Sequence, residues 1–233
     1  MSHLMAEFLG TAMLVYLGDS VVANVSLTKT KGNNAGLIVV TTAWALAVGI
    51  PAAIFGGVSA HFNPALTIAL AAIGKFPGAE VPGYIVAQMA GGIVGAALVW
   101  LTYLPHWAET EDKRTKLGVF STGPAIRSLP SNFLTELLAT ATLVFGILGL
   151  GNIKAADGLG PIFVAGLIWV LGLSLGGPTG YALNPARDLA PRIAHAILPI
   201  AGKGDSDWGY SWVPVLGPIV GALVGAFLFV AVF

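Results

Sequence analysis

The chain has 233 residues, of which 56% are hydrophobic and 9% are charged, whereas soluble domains carry about 25% charged residues. This composition predicts an integral membrane protein. The formal net charge is zero, which argues against a nucleic-acid partner. The chain has no cysteine, which excludes disulfides, thiolate catalysis and cysteine-ligated metal sites.

Long apolar runs predict six membrane-spanning helices, because about 20 apolar residues are needed to cross a bilayer. The predicted spans are residues 4–27, 35–55, 83–103, 133–150, 159–175 and 213–233. We interpret the first run as a retained span rather than a signal peptide, since it has no basic region and no cleavage site. Two further helices are predicted at 63–72 and 184–197, where the apolar stretches are too short to cross. Residues 105–131 hold most of the charge, which we expect to face solvent.

The two halves of the chain repeat each other. Residues 7–12 (Glu-Phe-Leu-Gly-Thr-Ala) match residues 136–141 (Glu-Leu-Leu-Ala-Thr-Ala), and each half carries one Asn-Pro-Ala triplet. Each repeat has three full spans, so the second must enter the membrane from the opposite face, as in an inverted repeat. We therefore predict one domain, 1–233, with a first repeat 1–104, a connecting loop 105–131 and a second repeat 132–233.

Glycines recur at four-residue spacing in the third and sixth spans. Small residues allow membrane helices to approach closely, either within one protomer or between protomers. The glycines of this pattern are Gly91, Gly95, Gly217, Gly221 and Gly225.

Each short helix opens with the pair Asn-Pro, at Asn63-Pro64 and Asn184-Pro185. Asparagine is a favoured N-cap and proline a favoured first helical residue, so the amide NH₂ groups are expected to stay free to face a cavity. Each helix N-terminus carries about half a positive charge, and two facing ends would repel cations. A single Asn-Pro is most simply a turn, but two copies related by the repeat favour a pore.

Several charged residues lie inside the apolar segments. Glu7 and Glu136 could form a proton relay or accept backbone N–H groups of the irregular segments, and we favour the second interpretation. Arg187 keeps its charge and offers five donors, so we expect it to face the pore. The alternative is a buried pair with Asp188, but adjacent helical residues do not face each other, and we expect Asp188 to support a loop. We place Asp19 near the outer interface and assign it no role.

The doubled Asn-Pro-Ala motif resembles that of the aquaporin family, the major intrinsic proteins, and the resemblance covers nearly the whole chain. The aspartate that follows Asn-Pro-Ala-Arg, Asp188, resembles the aspartate at this place in the glycerol-facilitator branch of the family. The resemblance implies an all-α membrane protein with six transmembrane helices and two re-entrant half-helices. It also implies a homotetramer in a bacterial plasma membrane, in contact with lipid and with cytoplasmic termini.

The constriction of glycerol facilitators can be carried over to Trp44, Gly172, Tyr181 and Arg187. The resemblance implies that the aromatic side chains contact the side of a polyol that carries its C–H groups, and that the arginine binds its hydroxyl groups. Gly172 leaves the space that a histidine would fill in a water-selective channel. On sequence alone, Trp44 is also compatible with a lipid-facing or packing position.

Two departures from the family bear on these assignments. The segment Ser59–His61 is one residue shorter than the family's Ser-Gly-Ala-His, and without a gap Ala43 would take the place of Trp44. Tyr181 stands where phenylalanine is usual. His61 either lines the pore or satisfies its own loop, and we expect the other histidines, His3, His106 and His195, at the membrane interface. The backbone expected to line the pore is that of Ala60, His61, Gly180 and Ala182.

The positively charged residues argue against cytoplasmic termini. The loops on the side of the termini hold only Lys75 and Lys154. Cytoplasmic loops ordinarily carry the excess of lysine and arginine. The loops on the other side hold Lys29, Lys31, Lys113, Arg114, Lys116, Arg127 and Lys203.

We expect a passive channel for small uncharged solutes, glycerol and water first, from which ions and protons are excluded. Neutral lactic acid and dihydroxyacetone are alternative solutes. A secondary transporter is the competing class, because inverted repeats with half-helix ends at the midplane also describe transporters, which need carboxylates free to titrate. The sequence shows no phosphate loop, metal-ligand cluster or nucleophile–base pair, so we expect no enzymatic activity, metal or cofactor.

Overall fold

The computed structural model describes residues 1–153, 156 and 158–233, so that Lys154 lies outside the described residues. Within this part of the chain ten helices follow one another, and a 3₁₀ turn at Gly78–Glu80 precedes the fourth. The helices are α1 (His3–Ser26), α2 (Leu37–Phe55), α3 (Pro64–Ala72), α4 (Val81–Thr102), α5 (Leu104–Glu109), α6 (Lys113–Phe120), α7 (Leu129–Leu150), α8 (Gly160–Thr179), α9 (Pro185–Ile197) and α10 (Val213–Val232).

Six of these helices are long and apolar enough to cross a membrane, namely α1, α2, α4, α7, α8 and α10. The short helices α3 and α9 begin at the two Asn-Pro pairs. The predicted fold class is therefore confirmed. The chain is a multi-pass membrane protein with two half-length helices, one in each half.

The predicted ends of two spans are wrong by about one turn. Helix α7 begins at Leu129 rather than at 133, because Pro130 at its start is well placed in a first turn. Helix α8 continues to Thr179 rather than ending at 175. It ends where Gly180 adopts φ 85°, a left-handed conformation that commonly closes a helix.

Helix pairs α1–α4 and α7–α10 pack closely through the predicted glycines. A Cβ atom added at Gly91 would lie 2.2 Å from the carbonyl oxygen of Phe8, and one at Gly221 would lie 2.2 Å from that of Leu137. The pattern therefore serves packing within the protomer, one of the two alternatives that the sequence allowed. The other glycines that approach the facing helix in this way are Gly95, Gly217 and Gly225.

The predicted connecting loop is partly helical and partly buried. It contains α5 and α6, and Asp112 caps α6 by accepting from the backbone N–H groups of Arg114 and Thr115. The expectation that its charges face solvent is wrong for Lys116, which is 2% exposed and donates to the carbonyl of Ala201. This hydrogen bond helps to compensate for the burial of the Lys116 ammonium group, which the sequence alone would place in water.

The loop before α10 is tied to the loop before α7 by an ion pair. Both terminal nitrogens of Arg127 donate to the carboxylate of Asp207, at 2.9 and 2.8 Å. These hydrogen bonds hold the pKa of Asp207 below its ordinary value. This ion pair therefore connects the two loops.

His195, one of the histidines that we expected at the membrane interface, is enclosed within the protein. Its side chain is completely buried, and Nδ1 lies 2.9 Å from Oγ of Ser206. The ring also packs against Phe120 of α6. The segments that carry Ser206 and Phe120 therefore cover the end of α9.

The tight approach of α10 to α7 predicts a sharp difference between two glycines. Gly221→Ala should lower the free energy of unfolding by about 1–3 kcal/mol, because its Cβ meets backbone that cannot move aside. Thermal unfolding in detergent should show a Tm lower by several degrees. The matched control is Gly166→Ala in α8, where an added Cβ would meet nothing within 4 Å. Equal Tm values for the two variants would contradict this packing.

Candidate functional site

The two half-helices begin with the capping geometry that their sequences predict. Oδ1 of Asn63 accepts the backbone N–H of Ala65 at 2.9 Å. Oδ1 of Asn184 accepts the N–H groups of Ala186 and Arg187, at 2.9 and 3.3 Å. Each asparagine side chain is therefore fixed at the positive end of its helix.

The same asparagines join the two halves of the molecule. Nδ2 of Asn63 donates to the carbonyl of Leu183 at 2.9 Å, and Nδ2 of Asn184 donates to that of Phe62 at 2.8 Å. Phe62 and Leu183 both have positive φ, 50° and 56°, a strained conformation that presents their carbonyls to the opposite half. The expectation that both amide hydrogens stay free needs correction, because one hydrogen of each NH₂ bonds across the repeat.

Glu7 holds the irregular segment before α3. Its carboxylate accepts the backbone N–H groups of His61 and Phe62, at 2.8 and 2.7 Å. It also accepts hydrogen bonds from Oγ of Ser59 and from Nε2 of Gln88, both at 2.7 Å. With four donors around it, this carboxylate has the surroundings of a structural acceptor.

Glu136 does the same for the segment before α9. It accepts the backbone N–H groups of Ala182 and Leu183, both at 3.0 Å, and Oγ1 of Thr179 at 2.6 Å. Both glutamates are completely buried. Irregular backbone at membrane depth must be satisfied within the protein, and the two carboxylates do this in equivalent positions.

A cavity of about 280 Å³ runs past the meeting point of the half-helices. Asn63, Asn184, His61 and Arg187 give it polar groups, and the rest of its wall is largely apolar. His61 also shares a hydrogen bond with Thr67 at 3.1 Å, so it both lines the cavity and satisfies its loop. The wall consists of Leu14, Trp44, Val48, Ala52, Gly56, Ala60, His61, Phe62, Asn63, Leu66, Leu143, Ile147, Pro161, Val164, Ile168, Tyr181, Ala182, Leu183, Asn184 and Arg187.

Trp44 and Arg187 lie face to face at this wall. The guanidinium carbon of Arg187 is 3.9 Å from the centre of the Trp44 ring, within the range of a cation–π contact. The other face of the indole packs on Gly18, where a Cβ would come within 2.4 Å of the ring. The short loop at Ser59–His61 therefore leaves Trp44, and not Ala43, beside the arginine.

Asp19 is a neighbour of Arg187 to which the sequence analysis assigned no role. Its side chain is completely buried, and Oδ1 accepts a hydrogen bond from Nη1 of Arg187 at 3.2 Å. An aspartate in an apolar helix needs such a buried partner. The signal available in the sequence was a charged residue inside an apolar span.

Tyr181 occupies the space that two glycines of α8 leave open. A Cβ at Gly172 would lie 2.9 Å from Cζ of Tyr181, and one at Gly176 would lie 2.6 Å from Cδ1. Gly172 therefore shapes the constriction through the tyrosine ring, and it lies outside the cavity wall, as does Gly180. The Tyr181 hydroxyl is buried and has no hydrogen-bond partner among the described residues.

Asp188 faces away from Arg187. Oδ2 accepts the backbone N–H and the hydroxyl of Thr122, at 2.7 and 2.6 Å, and Oδ1 accepts Nε of Arg192 at 3.0 Å. Arg192 in turn donates to the carbonyls of Thr122 and Ser206. The carboxylate thus supports a loop, in the position that helical geometry predicts for it.

Comparison with known proteins agrees with this architecture. The chain is 60% identical over 230 residues to a probable glycerol uptake facilitator protein of Thermotoga maritima, covering 98% of each chain. It is 42% identical over 228 residues to a D/L-lactic acid transporter of Lactiplantibacillus plantarum, covering 96% of this chain and 94% of that one. The solved structure of the aquaglyceroporin from Plasmodium falciparum matches with a TM-score of 0.86 and 31% identity, over 97% of this chain and 94% of that one.

A comparison with sequence models of protein families also covers nearly the whole chain. The sequence model of the family described as major intrinsic protein matches residues 1–229. The match includes both half-helices, five of the six spans in full and the sixth as far as residue 229. The chain therefore belongs to the major intrinsic protein family.

Proposed function

We propose that the protein is a passive channel for small uncharged solutes, glycerol and water first among them, and that it excludes ions and protons. The observation that carries the proposal is that Trp44, Tyr181 and Arg187 line one cavity, with the guanidinium 3.9 Å from the centre of the Trp44 ring. We propose that these three residues form the constriction. Two aromatic faces suit the carbon edge of a polyol, and the guanidinium supplies donors for its hydroxyls. The similarity to relatives named glycerol uptake facilitators supports the same solute.

The site roles belong to this proposal. Trp44, Gly172, Tyr181 and Arg187 select the solute, and Asn63 and Asn184 orient it where the half-helices meet. Ala60, His61 and Ala182 line the path, while Gly180 lies beside it. Glu7, Glu136, Pro64, Pro185 and Asp188 hold the loops and half-helices in place.

The proposal extends to assembly and topology. Two repeats, 1–104 and 132–233, form one domain, and four protomers assemble with one pore in each. The termini face the cytoplasm. These statements follow from membership of the family, and the many apolar side chains exposed on the protomer, such as Ile38, Val86 and Phe227, are suited to contact with lipid or neighbouring protomers.

Passive transport is favoured over coupled transport by the state of the buried carboxylates. Glu7 and Glu136 are each surrounded by donors from loop and helix, so that neither is free to bind and release a coupling ion. The two half-helix ends add positive potential at the midplane, which opposes entry of cations and protonated water. The arrangement suits a fixed pore rather than an alternating one.

Glycerol flux should therefore be independent of ion gradients. In proteoliposomes, stopped-flow light scattering should show faster swelling in glycerol than in protein-free liposomes. The rate should be the same with and without a proton or sodium gradient, because neither Glu7 nor Glu136 is free to bind a coupling ion. Accumulation of glycerol against its own gradient, driven by either ion, would refute the proposal.

A second solute is favoured by Tyr181. Tyr181 lines the cavity, and its buried hydroxyl has no hydrogen-bond partner among the described residues, so a rotation of the side chain would offer that hydroxyl to a solute with a compact polar end. Neutral lactic acid and dihydroxyacetone have such an end. The similarity to a relative named D/L-lactic acid transporter supports this candidate.

Lactic acid flux should increase as pH falls, because the neutral fraction of the acid increases, whereas glycerol flux should stay constant. Tyr181→Phe should lower the ratio of lactic acid to glycerol flux about fivefold, the effect of losing one hydrogen bond of about 1 kcal/mol. Both fluxes are measured in the same vesicle preparation.

The control for this variant is Tyr210→Phe. Tyr210 also has a buried hydroxyl without a partner among the described residues, but it lies outside the cavity wall. It should leave the ratio unchanged. Equal ratios in Tyr181→Phe and the unmodified protein would remove lactic acid from the proposal and leave glycerol in place.

A further inference from the structure

Asp19 and Arg187 form a buried ion pair at the wall of the cavity. Asp19 on α1 is fully buried, and Arg187 on α9 is 7% exposed. Oδ1 of Asp19 accepts Nη1 of Arg187 at 3.2 Å, while Oδ2 has no hydrogen-bond partner among the described residues. A buried ion pair is weak evidence for a role in stability, because the desolvation of its two charges offsets their attraction.

The other half of the molecule shows that the fold does not need this pair. Leu148 follows Glu136 at the spacing at which Asp19 follows Glu7. Leu66 is the third residue after Asn63, as Arg187 is the third after Asn184. Both leucines are buried in one apolar cluster. Helix packing at this point is therefore compatible with two apolar side chains, and the ion pair calls for an explanation in terms of the pore.

The electrostatics of the constriction supply that explanation. The guanidinium of Arg187 touches Asp19 and the face of Trp44, and it also lines the cavity. A lone arginine in a pore is a feature of anion-selective sites, and two half-helix N-termini nearby add further positive potential. A carboxylate in contact with the guanidinium cancels its charge without entering the path of the solute.

We propose that Asp19 is a specificity-determining positioning residue of this channel. Its carboxylate holds Arg187 against Trp44 and makes the constriction electrically neutral, so that small anions are excluded while the remaining guanidinium donors stay available to uncharged solutes. The inference rests on the proposed channel function and names the residue pair by which anions are excluded. Asp19 acts through Arg187, since it does not itself line the cavity.

Asp19→Asn tests this with little change in shape, because the amide keeps an oxygen that can accept from Arg187. The variant is reconstituted in liposomes, and nitrate entry is measured by swelling with a potassium ionophore present to balance charge. We expect nitrate flux at least about tenfold above that of the unmodified protein, because the arginine charge is no longer compensated. Glycerol flux, measured in the same vesicles, should persist.

Two further variants separate charge from structure. Asp19→Glu retains the charge and should keep nitrate out. Ser20→Ala, the control on the next residue, removes a buried hydroxyl that also has no partner among the described residues, and should change neither flux. If Asp19→Asn conducts glycerol but admits no more nitrate than the unmodified protein, the inference is wrong. Absence of glycerol flux in the unmodified protein would count against the proposed function instead.

A second comparison decides the matter if Asp19→Asn yields no folded protein. The double variant Asp19→Leu/Arg187→Leu reproduces the apolar pair of the other half and should fold without a charge at the constriction. Arg187→Leu alone leaves the carboxylate uncompensated and should leak potassium faster than the double variant. Equal potassium leaks in the two variants would overturn the inference. It would also be overturned if Arg187→Leu fails to fold while the double variant folds and leaks no more potassium than protein-free liposomes.

Discussion

Two stretches of irregular backbone lie inside the helical bundle, where the N–H and C=O groups that do not face the cavity must be satisfied within the protein. One precedes α3 and the other precedes α9, and each is held by a buried glutamate, Glu7 or Glu136. The half-helices can begin at the midplane only because these carboxylates replace the missing solvent. The cavity, the helix caps and the arrangement of Trp44, Tyr181 and Arg187 all depend on the hydrogen bonds to these two carboxylates.

The second half-helix carries charge that the first does not. Arg187, Asp188 and Arg192 are all buried. Arg187 pairs with Asp19 on α1, and Asp188 accepts from Thr122 on the loop before α7. Arg192 donates to Asp188 and to backbone carbonyls of the loops before α7 and α10. These bonds join the constriction to the loops above it. A nearly symmetric scaffold thus carries one asymmetric electrostatic site, which is where selectivity can be built without disturbing the repeat.

The sequence predicted the parts of this molecule that are set locally. Span lengths, caps at Asn63 and Asn184, and the glutamates at matching positions follow from short motifs and apolar runs. The role of Asp19 was missed because its partner lies 168 residues further along the chain. The burial of Lys116 and His195 was missed for the same kind of reason, since the groups that satisfy them are brought close only by the folded loops. The resemblance assigned Trp44, and only the packing on Gly18 and Arg187 distinguished it from Ala43.

The reciprocal bonds of Asn63 and Asn184 have a consequence for biosynthesis. Their acceptor carbonyls lie 120 and 122 residues away in the chain, so the first half-helix emerges long before its partner exists. At about 5–20 residues per second, the interval is about 6–24 s. During that time Asn63 and the carbonyl of Phe62 lack the partners they have in the folded protein. Completion of these two bonds therefore waits for synthesis of the second half, and we expect the re-entrant segment before α3 to take its final place as a late event of membrane insertion.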